Sequence, residues 1–125
     1  MIDFANAKYI KLRRVNDSET DDKMGHLLLD DEQVMMSFRG IRDMVVFTSK
    51  RIIALDVQGM TGKKKDYTSL PYNKVQSWSV ETAGTFDLDA ELDLWFSGMG
   101  RVRFEFAGNV DVAYLSKLIA HYVLK

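Results

Sequence analysis

Residues Asp87-Leu88-Asp89-Ala90-Glu91-Leu92-Asp93-Leu94 alternate acid and aliphatic without a break. At the two-residue period of an extended chain every acid falls on one face and every aliphatic on the other, whereas helical geometry scatters them. The stretch reads as a strand with one buried face. After Gly98-Met99-Gly100 the pattern repeats, with Val102, Phe104 and Phe106 alternating against Arg101, Arg103 and Glu105. Two such strands joined by a glycine turn form a hairpin. If its apolar faces stay together, Arg101 and Arg103 fall near Asp93 and Trp95, so the acid row gains basic cross-strand or diagonal neighbours.

The same signals run upstream as far as Gln33. Val34–Arg39 is followed by the tight Gly40-Ile41 break, then Met44–Thr48 and Arg51–Val57, all rich in β-branched and aromatic side chains. Gly59-Met60-Thr61-Gly62 marks a turn, Tyr67 sits in a fourth piece ended by the lone Pro71, and Val75–Glu81 is the fifth. Past Gly108 the period changes: Val112, Leu115, Leu118, Ile119 and Tyr122 fall at helical spacing, with Asn109 as the expected N-cap ahead of Asp111. The expectation is a mainly β domain with α, in which seven antiparallel strands form a barrel or two sheets and a C-terminal helix caps them.

Residues 1–30 read as a partly helical extension of a domain spanning 31–125. Phe4, Lys8, Tyr9, Leu12 and Val15 make a partial helical stripe, and Met24 to Leu29 offer a second. The acidic Asn16–Asp22 segment between them suits a connection or a helix N-terminus, where carboxylates meet the positive end of the dipole. Residues 1–32 carry a net charge of −3 and residues 33–125 a net charge of +2.

The chain has 125 residues, enough for one core and too few for two ordinary domains. Seventeen basic and eighteen acidic side chains leave no excess that would steer it to nucleic acid. The absence of cysteine excludes disulfides, thiolate catalysis and thiolate-bound metals. No apolar run reaches the ~18 residues of a membrane span, and Met1–Asn6 lacks the order of a signal peptide. A soluble cytoplasmic protein is expected.

Four blocks sharpen the fold: Arg42–Arg51, Gln58–Lys64, Ser69–Tyr72 and Ser79–Leu92, the last containing Glu81-Thr82-Ala83-Gly84-Thr85-Phe86-Asp87. In order and spacing over residues 25–125 they resemble the bacterial pleckstrin-homology (PH) domain family, while residues 1–24 show no comparable match. The resemblance implies a PH-like barrel without known catalytic activity. It further implies cyclic, five-fold homo-oligomers with a hydrophilic surface where strands of neighbouring protomers meet.

Site chemistry points the same way. Lys63-Lys64-Lys65 fails the phosphate-loop pattern, because Val57 stands at its first glycine and Lys64 at its hydroxyl position. The acid row Asp87, Asp89, Glu91, Asp93 projects in parallel along a strand and makes no cage for a cation. Counted from Asp17, a calcium loop fails at Asp22 and Leu28. His26 and His121 stand apart from any nucleophile or carboxylate motif. Trp78, Trp95, Phe104 and Phe106 read as packing residues rather than a base-stacking platform. No enzyme, cofactor or metal is expected. The leading reading is a self-assembling protein-interaction scaffold with a polar contact rim of Asp43, Lys50, Arg51, Glu81, Thr82 and Asp87, and an unidentified protein partner. The alternative is anionic-lipid or phosphoinositide-headgroup recognition through Arg39 and Arg42, although Gly40-Ile41 leaves little room for a headgroup.

Overall fold

Successive hairpin signals become a meander followed by a second, smaller sheet. The computed structural model describes residues 2, 4, 9–82, 89–108 and 110–125. Strands β1 (Arg13–Val15), β2 (Val34–Arg39), β3 (Met44–Thr48), β4 (Arg51–Gln58) and β5 (Lys64–Pro71) form a five-stranded antiparallel sheet in the order β1-β2-β3-β4-β5. Strands β6 (Val75–Thr82), β7 (Ala90–Phe96) and β8 (Gly100–Phe106) form a three-stranded antiparallel sheet. Helix α1 (Asp17–Met24) precedes β2, and α2 (Val112–Val123) follows β8. The expected C-terminal helix and all seven strand pieces are present, and β1 is an eighth strand.

Alternation along β4 explains why β3 is buried along its whole length. Ile52 and Ala54 point into the main core with Phe38, Phe47, Leu92 and Phe104. Ile53 and Leu55 point the other way, into a second cluster with Met24, Met44 and Val46. The large sheet is thus covered on both faces, by the small sheet and α2 on one and by α1 on the other. Leu115, Leu118 and Ile119 of α2 join the main core, and the Asp111 carboxylate accepts from the Tyr114 amide at 3.0 Å. The N-cap is therefore Asp111 rather than Asn109, which lies outside the described residues.

The N-terminal stripe is not a helix among its described residues. Tyr9 and Leu12 enter the main core, Lys11 has φ 54°, and Arg13–Val15 pair with β2. The Leu12 amide donates to Glu105 carbonyl (2.9 Å), the Glu105 amide to Tyr9 carbonyl (2.8 Å) and the Ala107 amide to Leu12 carbonyl (2.9 Å). Edge strands β2 and β8 offer unpaired ladder groups, and satisfying those outcompetes a weak helical periodicity. The segment consequently ties the two sheets together. Helix forms instead over Asp17–Met24, the acidic stretch, where Asp17 and Glu19 complement the dipole and only Thr20 and Met24 are buried. The Thr20 hydroxyl meets the Ser37 hydroxyl of β2. Of the apolar run from Met24 to Leu29, Gly25–Leu27 form a single 3-10 turn.

Strands β5 and β6 follow one another yet do not pair. A 3-10 turn, Tyr72–Lys74, carries the chain from one sheet to the other. The Tyr72 hydroxyl donates to Thr48 carbonyl at 2.8 Å, and its ring stacks on Tyr122 of α2 with centroids 5.1 Å apart. This corner therefore lies at the α2 end of the molecule.

Candidate functional site

The outer face of the small sheet is laid down by strand register. Ser77, Trp95 and Arg101 form one row across β6, β7 and β8; Ser79, Asp93 and Arg103 form the next; Glu81, Glu91 and Glu105 form the third. The expected neighbours of the acids are in place. Arg103 grips Asp93 at 2.7 and 3.0 Å and reaches Glu91 at 3.5 Å. Hydrogen bonding to Asp93 pushes the guanidinium pKa further up. Glu81 and Glu105 make no ion pair among the described residues, so the third row keeps an excess of negative charge. Trp95 stays on this face, exposed, whereas Trp78 packs against the main core.

At the opposite end from the Tyr72–Lys74 corner, meander topology brings the β2–β3 and β4–β5 turns together. Arg42 donates to the Gly59 carbonyl and so joins them. Gly59 and Gly62 have φ of 77° and 68°, a left-handed conformation glycine takes without strain. The tips carry Ile41 at 97% and Met60 at 104% exposure. On the α1 side, Lys23, Arg39, Arg42 and Lys65 line a groove of about 290 Å³ together with Glu19. Arg39 is held by Glu19 at 2.9 Å. The two arginines singled out as an anion site thus line one groove, and one of them already has a carboxylate partner.

Lys50 and Arg51 sit at the β3–β4 turn. Exposed Lys50 pairs with Asp31 at 3.1 Å. Arg51 donates from Nε and Nη2 to the two Glu32 oxygens, each at 3.0 Å, from Nη2 to Leu27 carbonyl at 2.9 Å and from Nη1 to Ser69 at 2.9 Å. Burial alone would raise the Glu32 pKa, but hydrogen bonds from Arg51, Thr48 and the Leu29 amide outweigh it and hold the carboxyl down to about 2. Arg51 therefore fastens the turn to the segment before β2, a task local sequence could not disclose because Glu32 is 19 positions away.

The expected polar rim is distributed over separate places. Lys50 and Arg51 lie together; Asp43 lies at the other end of the β3–β4 hairpin; Glu81 and Thr82 end β6 and are exposed. Asp87 and the turn around Gly84 lie outside the described residues. His26 packs edge-on to Tyr67 and His121 edge-on to Tyr122, with centroids 5.9 and 4.8 Å apart. Among the described residues no three His, Asp or Glu side chains converge as metal ligands. No described helix is long and apolar enough to cross a membrane.

A meander sheet, a three-stranded sheet and a C-terminal helix packed into the core between them define the pleckstrin-homology class of fold. The family model for the bacterial PH domain matches residues 3–123, and the chain belongs to that family. It is 43% identical to the uncharacterized protein YjqA of Bacillus subtilis over 101 residues, 79% of this chain and 81% of that protein. Among solved structures, a DUF1696 family protein with a pleckstrin-homology domain from Shewanella loihica superposes with a TM-score of 0.79 at 44% identity, covering 91% of this chain and 98% of that one. A pleckstrin homology domain from Shewanella amazonensis gives a TM-score of 0.66 at 43% identity, covering 89% and 90%.

Proposed function

We propose that this bacterial PH domain is a cytoplasmic, non-enzymatic scaffold that assembles with copies of itself into a closed ring and presents polar strand ends to an unidentified protein partner. One observation carries the reading. Two eight-residue strands, β5 and β6, each have a neighbour on one side only among the described residues. Long strands with an unpaired row of amides and carbonyls are templates for another chain unless they are blunted. The other edges carry such devices: β1 is three residues long, β8 is occupied by Tyr9 and Leu12, and β5 bears Lys64, Lys65 and Pro71, whereas β6 has neither lysine nor proline. Glu81 and Thr82, at the end of β6, belong to the contact rim on this reading. Size-exclusion chromatography with light scattering tests it. A uniform multiple of 14.3 kDa, five-fold if the ring follows the family resemblance, is expected, and a monomer at every concentration refutes it.

A second reading, anionic-lipid recognition, is favoured by the opposite end of the molecule. Ile41 and Met60 are almost fully exposed, with Arg42 and Lys63 close to them in sequence, and apolar tips with nearby cations suit an anionic bilayer. Salt-sensitive cosedimentation with phosphatidylserine vesicles, lost in Arg39→Ala with Arg42→Ala, is its expected result. Absence of binding removes it.

A further inference from the structure

We propose that the outer face of the three-stranded sheet docks an extended basic peptide segment, which sets an apolar side chain on Trp95 and a cation on Glu91 and its neighbours. Side chains over the face make the contact, and no strand edge takes part. One protomer suffices for it, so it goes beyond the assembly reading and holds or fails whatever the mass in solution.

Alternation along β7 builds the face. Leu92, Leu94 and Phe96 enter the main core, and Glu91, Asp93 and Trp95 point the other way. Trp78 of β6 takes the core side, so Trp95 is the tryptophan that this sheet turns to solvent. It is 36% exposed and stands between Ser77 and Arg101 in one cross-strand row, with Met99 of the β7–β8 turn equally exposed. An indole in the open offers a partner a large, rigid contact area with few rotamers to freeze, which is why tryptophan is enriched at the centres of interfaces.

Charge changes in steps along the same face. Arg101, beside Trp95, makes no ion pair among the described residues. In the middle row Arg103 grips Asp93 through two hydrogen bonds, and the two charges offset each other. The far row sets Glu81, Glu91 and Glu105 opposite one another, and its one ion pair among the described residues is Arg103 to Glu91 at 3.5 Å. Like charges directly opposite in a sheet are unfavourable, and a partner's cation relieves them. Arg101 repels that same cation from the Trp95 end, so the occupant has one register rather than several. Trp95 and Glu91 are four residues apart on one strand, ~14 Å at the ~3.4 Å rise of an extended chain. An extended peptide repeats that spacing between residues i and i+4. Its residue i+2 meets the Asp93–Arg103 pair and needs no charge.

The probe is acetyl-Gly-Lys-Ser-Thr-Ser-Leu-Ser-Thr-Ser-Lys-Gly-amide, whose leucine has a lysine four residues away on either side, so both chain directions are offered. Titrated into the isotope-labelled full chain, it should shift the Trp95 indole N–H resonance, assigned by its loss in Trp95→Phe. A dissociation constant on the order of 0.1–1 mM suits a contact smaller than a standard interface. Replacing the leucine by serine, or both lysines by glutamate, should weaken binding about tenfold or more. Glu81→Lys combined with Glu105→Lys should weaken it about fivefold or more, while Lys64→Ala, on the other sheet, should stay within about twofold of the parent. The altered probes challenge the face without touching the protein, so the test survives a variant that fails to fold. No movement of the Trp95 resonance up to about 10 mM probe overturns the proposal. Equal binding of the glutamate probe overturns it too, as does a Trp95 shift caused by the neutral sugar maltotriose and not by the peptide.

Discussion

Replacing Glu32 by Gln should remove a pH-dependent part of the stability. The Glu32 side chain is wholly buried and lies 2.6 Å from the Thr48 hydroxyl as well as 3.0 Å from two Arg51 nitrogens. A carboxyl brought from 4.5 to about 2 on folding contributes roughly 3 kcal/mol at neutral pH. The folded pKa is depressed, so this contribution is fully present above the unfolded value and is lost as pH falls from about 4.5 to about 2. Gln keeps the shape and one acceptor, but it leaves Arg51, whose side chain is only 24% exposed, without its counter-charge. A loss of about 2–3 kcal/mol at pH 7 is expected, shrinking toward zero near pH 2. Urea denaturation followed by tryptophan fluorescence, at protein concentrations low enough to keep assembly out of the transition, measures both proteins at pH 7, 4, 3 and 2. A difference that stays constant across that range would refute the assignment of the shift to this network.

Leu12→Ala should cost about 3–5 kcal/mol by urea denaturation, because Leu12 is fully buried in the main core. Asp111→Ala should cost about 1 kcal/mol through loss of the α2 N-cap, read as a lower thermal midpoint without loss of helical circular dichroism at 20 °C. Ile41→Ser combined with Met60→Ser should leave stability within about 0.5 kcal/mol, since both side chains are already in solvent, while weakening any vesicle binding about tenfold or more. Met24→Ala should cost about 2–4 kcal/mol, because Met24 is the α1 side chain that closes the outer cluster of the large sheet.

Strands were legible where neighbouring residues decide their own fate. The two-residue period from Ala90 to Leu94 and from Val102 to Phe106 becomes an antiparallel ladder whose register pairs Asp93 with Arg103, as the apolar alternation implies. The N-terminal segment was not legible, since Phe4, Tyr9, Leu12 and Val15 satisfy a helical period just as well as a segment that bends between two sheets. What decides there is the supply of unpaired groups on β2 and β8, and no local window contains them. Helix α1 escaped the periodicity test for the opposite reason: it buries just Thr20 and Met24 and leaves no apolar stripe to detect. Of the site residues, the approach of Arg39 and Arg42 to one groove depended on a tight turn visible at Gly40-Ile41. The work of Arg51 depended on Glu32, reached only through the tertiary fold.

The fold treats its strand edges unequally. A barrel-like domain could close itself by pairing β5 with β6, which are consecutive and of equal length, and consecutive strands usually do pair. Here Tyr72 is anchored to Thr48 and Tyr122, and the corner it makes turns β6 into the other sheet. The same molecule uses an N-terminal segment to seal β8. One pair of edges is sealed from within, whereas β5 and β6 have no second strand neighbour among the described residues, the Ile2 amide donating only to the Thr68 hydroxyl of β5. In an assembly through these two edges a two-fold axis would pair β5 of each copy with β6 of the other, just as a head-to-tail cycle would, so the mass in solution, and not the unlikeness of the edges, decides between dimer and ring.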